Sequence, residues 1–119
     1  MREYSAILRD HVCHPRNVGQ IADADAVGRQ RIGRATFMDM YFRIQDGFIK
    51  EVKFQTFGCG AVIAAGSMLT EMITNRTVKE CLTVTDQQLI KALGGLPGDK
   101  IWCAKLALAT MHDAFDRES

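Results

Sequence analysis

The sequence predicts an α+β domain in which a small antiparallel sheet is covered on one face by helices. Three observations carry this prediction. Strand-like alternation is concentrated in residues such as Met40, Phe42 and Ile44, and Asp46-Gly47 breaks it with a hairpin turn. From Gly60 onward, apolar residues recur instead at helical spacing.

The elements follow in chain order. Tyr4, Ile7, Leu8, His11 and Val12 share one helical face, and Pro15 stops that helix near His14, because the residue before a proline is pushed out of the helical region. A polar loop rich in Asp, Ala and Gly runs from about Arg16 to Arg29, and strand patterning begins near Gln30. Met40, Phe42 and Ile44 then alternate with Tyr41, Arg43 and Gln45, giving one apolar and one mixed face. Ile49 to Phe57 returns as the paired strand, with Val52 and Phe54 on one side. Ala61, Ala64, Ala65, Met68, Met72 and Ile73 predict a helix ending near Asn75. Thr77-Val78-Lys79-Glu80 and Thr85-Asp86-Gln87-Gln88 read as capping boxes that each open a short helix, the second ended by Gly94-Gly95. Leu96-Pro97-Gly98-Asp99 is a turn, and Ile101 to Phe115 forms a last helix.

The 119 residues are 47% apolar and 24% charged, which suits one domain over 1–119 with an ordinary core. Fifteen basic residues against fourteen acidic ones, with no basic run, argue against nucleic acid or an anionic membrane as partner. No apolar stretch approaches the roughly 18 residues of a membrane span. The polar start Met1-Arg2-Glu3-Tyr4-Ser5 is not a signal peptide, so a soluble, cytoplasmic protein is expected. The four cysteines, Cys13, Cys59, Cys81 and Cys103, are scattered and include no C-x-x-C pair. They read as free thiols, metal ligands or redox groups, and any metal site must be assembled from distant segments.

The strongest chemical signal is Gly58-Cys59-Gly60, where a strand ends and a helix begins. Flanking glycines open unusual backbone conformations and allow close approach, and a helix N-terminus favours thiolate over thiol. The competing reading is a small buried hydrophobe at a tight turn. Cys103 stands in the same helix-start setting, with core packing beside Leu106 and Ala107 as its alternative. Asp39, between Met38 and Met40, needs solvent, a hydrogen bond or a cation, and a solvated strand end satisfies that. Cys13 and His14 are ligand types at a surface helix end, and Cys81 reads as core. His11 and His112 lie within helices with no nameable partner, and serine hydrolase, P-loop and dinucleotide-binding patterns are absent.

Several segments in order resemble the NifU/IscU-type family of iron–sulfur cluster scaffold proteins. These are Asp10-His11 with Pro15-Arg16-Asn17-Val18-Gly19, then Asp39, then Phe54-Gln55-Thr56-Phe57-Gly58-Cys59-Gly60. Ser67-Met68-Leu69-Thr70-Glu71, Leu96-Pro97, Lys100 and Cys103 complete the set. The resemblance implies a three-stranded antiparallel sheet flanked by helices, and a scaffold rather than an enzyme. It implies a site of three cysteines with an aspartate and a histidine, onto which Asp39, Cys59 and Cys103 map. The family's first cysteine is Phe37 here and its histidine is Trp102, and neither aromatic ring can coordinate iron or zinc.

A [2Fe–2S] cluster takes four protein ligands, so one chain falls short, although a zinc site of three ligands plus water remains countable. Cys13 or His14 could fill the gap, two chains could share one cluster, or the site could be lost. The resemblance therefore implies iron or a transient cluster held through Cys59 and Cys103 with Asp39, with zinc as another metal that fits. The implied partners are a cysteine desulfurase and acceptor proteins. Family members served by a dedicated Hsp70 carry Leu-Pro-Pro-Val-Lys where this chain has Leu96-Pro97-Gly98-Asp99-Lys100, which argues against that chaperone. The alternatives are a degenerate paralogue without metal, binding an assembly factor through an aromatic patch, and a persulfide carrier using Cys59 alone.

Overall fold

In a computed structural model, which describes residues 4–118, three antiparallel strands lie in the order β1 (Ala26–Ile32), β2 (Thr36–Gln45) and β3 (Phe48–Phe57). Met40 faces Phe54 across β2 and β3, and Phe42 faces Val52. All four are buried, so the alternation in β2 does set the core face. Asp46 and Gly47 both take positive φ, 56° and 80°, the geometry of a two-residue hairpin turn whose twist matches its strands.

The helices lie on that apolar face. α1 (Ala6–Cys13) packs on α2 (Gly60–Ile73), α2 packs on β3, and the long α5 (Ile101–Glu118) runs along β1 and β2. Between them come α3 (Val78–Cys81) and α4 (Asp86–Ala92), and both expected capping boxes are formed. A short 3₁₀ turn, Gly98–Lys100, leads into α5. The predicted α+β class and three-stranded sheet are what the structure shows.

β1 starts at Ala26, before the Gln30 expected from patterning. The reason is tertiary. A Cβ at Gly28 would lie 1.9 Å from the Thr110 carbonyl oxygen and 2.8 Å from the Ala114 nitrogen, so α5 rests directly on the bare backbone of β1. A strand that packs through glycine shows no apolar periodicity.

The loop after Pro15 closes the far edge of β3. Gly19 N–H donates to Phe54 O and Phe54 N–H to Asn17 O, both at 2.9 Å, covering an edge that would otherwise be open. This segment is tied to α2, because Arg16 N–H donates to Ser67 Oγ (2.8 Å) and Asn17 Nδ2 to Thr70 Oγ1 (2.9 Å). His11, which the sequence left without a partner, lies 2.7 Å from Ser67 Oγ through Nδ1 and 3.4 Å from Glu71 through Nε2. Burial, reinforced by Arg16, lowers its pKa, which favours a neutral ring bridging α1 and α2.

Gly28→Ala tests the α5–β1 contact. The added methyl meets backbone rather than a yielding side chain, so a loss of about 3 kcal/mol is expected, at the upper end of overpacking costs. Urea denaturation of both proteins measures it, and an unchanged midpoint would contradict the contact.

Candidate functional site

Cys59 caps the N-terminus of α2 with extended backbone angles (φ −75°, ψ 171°). Its flanking glycines are there for room rather than for unusual dihedrals, since neither is among the positive-φ residues. A Cβ at Gly60 would press to 2.9 Å from Val12 Cγ1, and one at Gly58 to 3.3 Å from Val62. Of the two reasons the sequence offered for Gly58 and Gly60, close approach is the one that applies.

Cys103 enters from the first turn of α5 and is fully buried. Its thiol lies near enough to Cys59 for each sulfur to shift the other's protonation, so two residues far apart in the chain meet at one corner of the fold. Lys100, on the 3₁₀ turn, reaches the same place and donates from Nζ to Cys59 Sγ at 3.7 Å. Tyr4 and Asp99 lie around it: burial raises the Tyr4 pKa, and Cys59, Lys100, Cys103 and Asp99 all act on its hydroxyl.

The two thiols are pushed in opposite directions. Burial alone would raise the pKa of Cys59. The backbone N–H groups of Val62 and Ala61, the Lys100 ammonium and the Cys103 thiol outweigh it, leaving the pKa below the ordinary thiol value. Cys103 is raised to about 12, first by burial and then by the neighbouring Cys59. The corner therefore holds one thiolate-prone sulfur and one protonated sulfur. Cys81, raised to about 11 chiefly by burial, is core as expected.

Asp39 is buried on the outer side of the sheet, and its carboxylate already has cations. Arg31 Nη1 lies 2.8 Å away and Arg29 Nε 3.8 Å away. Arg31 also covers the ring of Phe37, 4.8 Å from its centroid, and Phe37 pairs across the strands with Phe57. Phe57 is 62% exposed and Trp102 36%, so two large aromatic side chains remain open at this end of the molecule. Cys13 and His14 are exposed at the end of α1, with His14 3.4 Å from Asp10. Among the described residues, no three His, Cys, Asp or Glu side chains form a group that could hold a metal ion. Lys100 is the contact that local sequence missed. Its position three residues before Cys103 places it there, but only the meeting of α2 and α5 gives it Cys59.

The fold and the paired cysteines together define a class of protein. The chain belongs to the family described as NifU-like N terminal domain, whose profile matches residues 3–117. It is 44% identical over 114 residues to the iron-sulfur cluster assembly scaffold protein IscU 1 of Archaeoglobus fulgidus, covering 93% of this chain and 73% of that protein. It is 40% identical over 115 residues to the IscU of Aquifex aeolicus, covering 94% and 73%. Its fold is that of a SUF-system protein from Fervidobacterium islandicum AW-1, with TM-score 0.77 at 20% identity over 93% of this chain and 95% of that one. No helix among the described residues is long and apolar enough to cross a membrane.

The opposed thiols predict a labelling order. In native protein, iodoacetamide should modify Cys59 with a half-point below that of the same thiol in the unfolded chain, while Cys103 and Cys81 label only on unfolding. Mass mapping across pH reads this, and a Cys59 half-point at or above the unfolded-chain value would contradict the site electrostatics.

Proposed function

We propose that the chain is an iron–sulfur cluster assembly scaffold that carries iron or a cluster as transient cargo on Cys59 and Cys103, with Asp39 as an exchangeable third ligand. The observation that carries this reading is the convergence of two thiols from separate helix starts at one corner. Membership in the NifU-like family and the IscU relatives supply the class of cargo. Cys59, the thiolate-prone sulfur, is suited to receive sulfur from a donor such as a cysteine desulfurase. Its thiolate attacks the outer sulfur of the donor's persulfide, a new S–S bond forms, and the old one breaks with its electron pair leaving on the donor thiolate. A two-electron donor must then cleave the Cys59 persulfide to thiolate and sulfide; iron joins that sulfide and the two cysteines, Cys103 giving up its proton to water, and the product passes to an acceptor protein.

Asp39 comes to the cargo only by giving up Arg31 and Arg29. Both arginine side chains are about half exposed, 52% and 47%, so they can turn into solvent, but the buried Asp39 carboxylate releases them only in exchange for another cation. Zinc fits the same thiols, with water completing the coordination.

A second reading rests on the open aromatic residues. Phe57 and Trp102, with Phe37 beside them, form the kind of surface that anchors a protein partner. On this reading the chain binds an assembly factor and carries no metal.

Anaerobic reconstitution with iron and sulfide separates the two. The scaffold reading predicts a visible charge-transfer band in wild type that is lost in Cys59→Ala and Cys103→Ala and weakened in Asp39→Ala. A colourless wild type that still co-purifies with a desulfurase supports the binding module instead. Phe37→Cys, which returns the family's ligand type, is expected to increase cluster yield and slow its transfer to an acceptor.

A further inference from the structure

We propose that Lys100 is a tethered counter-cation that occupies the thiolate corner while it is empty and weakens its hold on a divalent metal. The inference rests on the scaffold reading above, because it assigns a role within that same site.

Three features of the corner support it. Lys100 Nζ reaches Cys59 Sγ at 3.7 Å, where an incoming ion must also bind. Among the described residues, no carboxylate lies within salt-bridge distance of Lys100; Tyr4 and Asp99 act on it more weakly than Cys59, so the thiolate is its chief electrostatic partner. The side chain springs from a fixed point, since Lys100 N–H is bonded to Pro97 O at 2.8 Å within the short turn that starts α5.

The ammonium has two effects on metal binding, and they oppose each other. By favouring the thiolate, it readies a ligand. By sitting beside that ligand, it repels a doubly charged ion and must swing into water before the ion can enter. The first effect is partly redundant, because Cys59 stands at the N-cap of α2, where the free N–H groups of the helix's first turn also favour the thiolate. The second has no substitute. Repulsion therefore dominates, and removing the charge should tighten metal binding. A scaffold gains from this, because cargo held against a standing cation is released readily to an acceptor.

The sign of the change decides the matter. Cobalt(II) alone is titrated anaerobically into wild type, Lys100→Met, Lys100→Gln, Lys100→Arg and Cys59→Ser. The thiolate-to-cobalt band reports occupancy and far-ultraviolet circular dichroism reports folding. Lys100→Met and Lys100→Gln are expected to bind roughly five- to tenfold more tightly than wild type, the scale of one nearby charge screened by water. Lys100→Arg, which keeps the charge, should stay within about twofold of wild type. Unchanged or weaker binding in both neutral variants, beside a normal Cys59-dependent band in wild type, overturns the role of Lys100 and leaves the scaffold reading standing. A wild type whose cobalt band is absent, or survives in Cys59→Ser, overturns the site itself and the inference with it.

Discussion

The close seating of α2 on the sheet governs the rest of the molecule. The helix approaches through Ala61, Ala64, Ala65 and Gly66, all buried. At Gly66 the approach is so tight that a Cβ would come 2.6 Å from the Phe54 ring and 3.1 Å from Met38. Larger residues at these positions would lift the helix off β3 and cost the core its packing. With α2 held this low, its first turn must follow β3 almost at once, and Cys59 is the residue that bridges them. α5 uses the same device on β1 through Gly28, which fixes where its own first turn lies. Two bare-backbone contacts thus bring two helix starts, and with them Cys59 and Cys103, to one corner.

The parts of this architecture governed by short-range chemistry were legible in the sequence. Both capping boxes formed because a Thr and an acid or amide three residues on complete a local hydrogen-bond exchange regardless of context. The Asp46-Gly47 hairpin and the stop at Pro15 are local in the same sense. The early start of β1 was hidden because its key position is a glycine that packs through its backbone. The partners of His11 and Lys100 were hidden because they depend on which helices meet. Ser67 and Glu71 lie on α2, and Cys59 lies across the α2–α5 corner. Cys59 was visible as a candidate from its flanking glycines, yet the physical reason turned out to be crowding by Val12 and Val62 rather than backbone freedom.

Phe37 and Trp102, which the resemblance sets against ligand positions, both lie outside the buried core. Phe37 lies under Arg31, and Arg31 in turn holds Asp39. Trp102 stays partly in solvent one residue before the buried Cys103. What remains is an asymmetric pair of sulfurs beside a cation. The exposed Phe57 and Trp102 leave an open aromatic surface at the same end of the molecule.

The central claim is that Cys59 and Cys103 act together on one metal, and X-ray absorption at the zinc edge of zinc-loaded protein tests it most directly. The account predicts two sulfur neighbours per zinc in wild type, with lighter atoms completing the shell, and one sulfur in Cys103→Ser. A shell of oxygen and nitrogen alone, or two sulfurs that persist in Cys103→Ser, would contradict it.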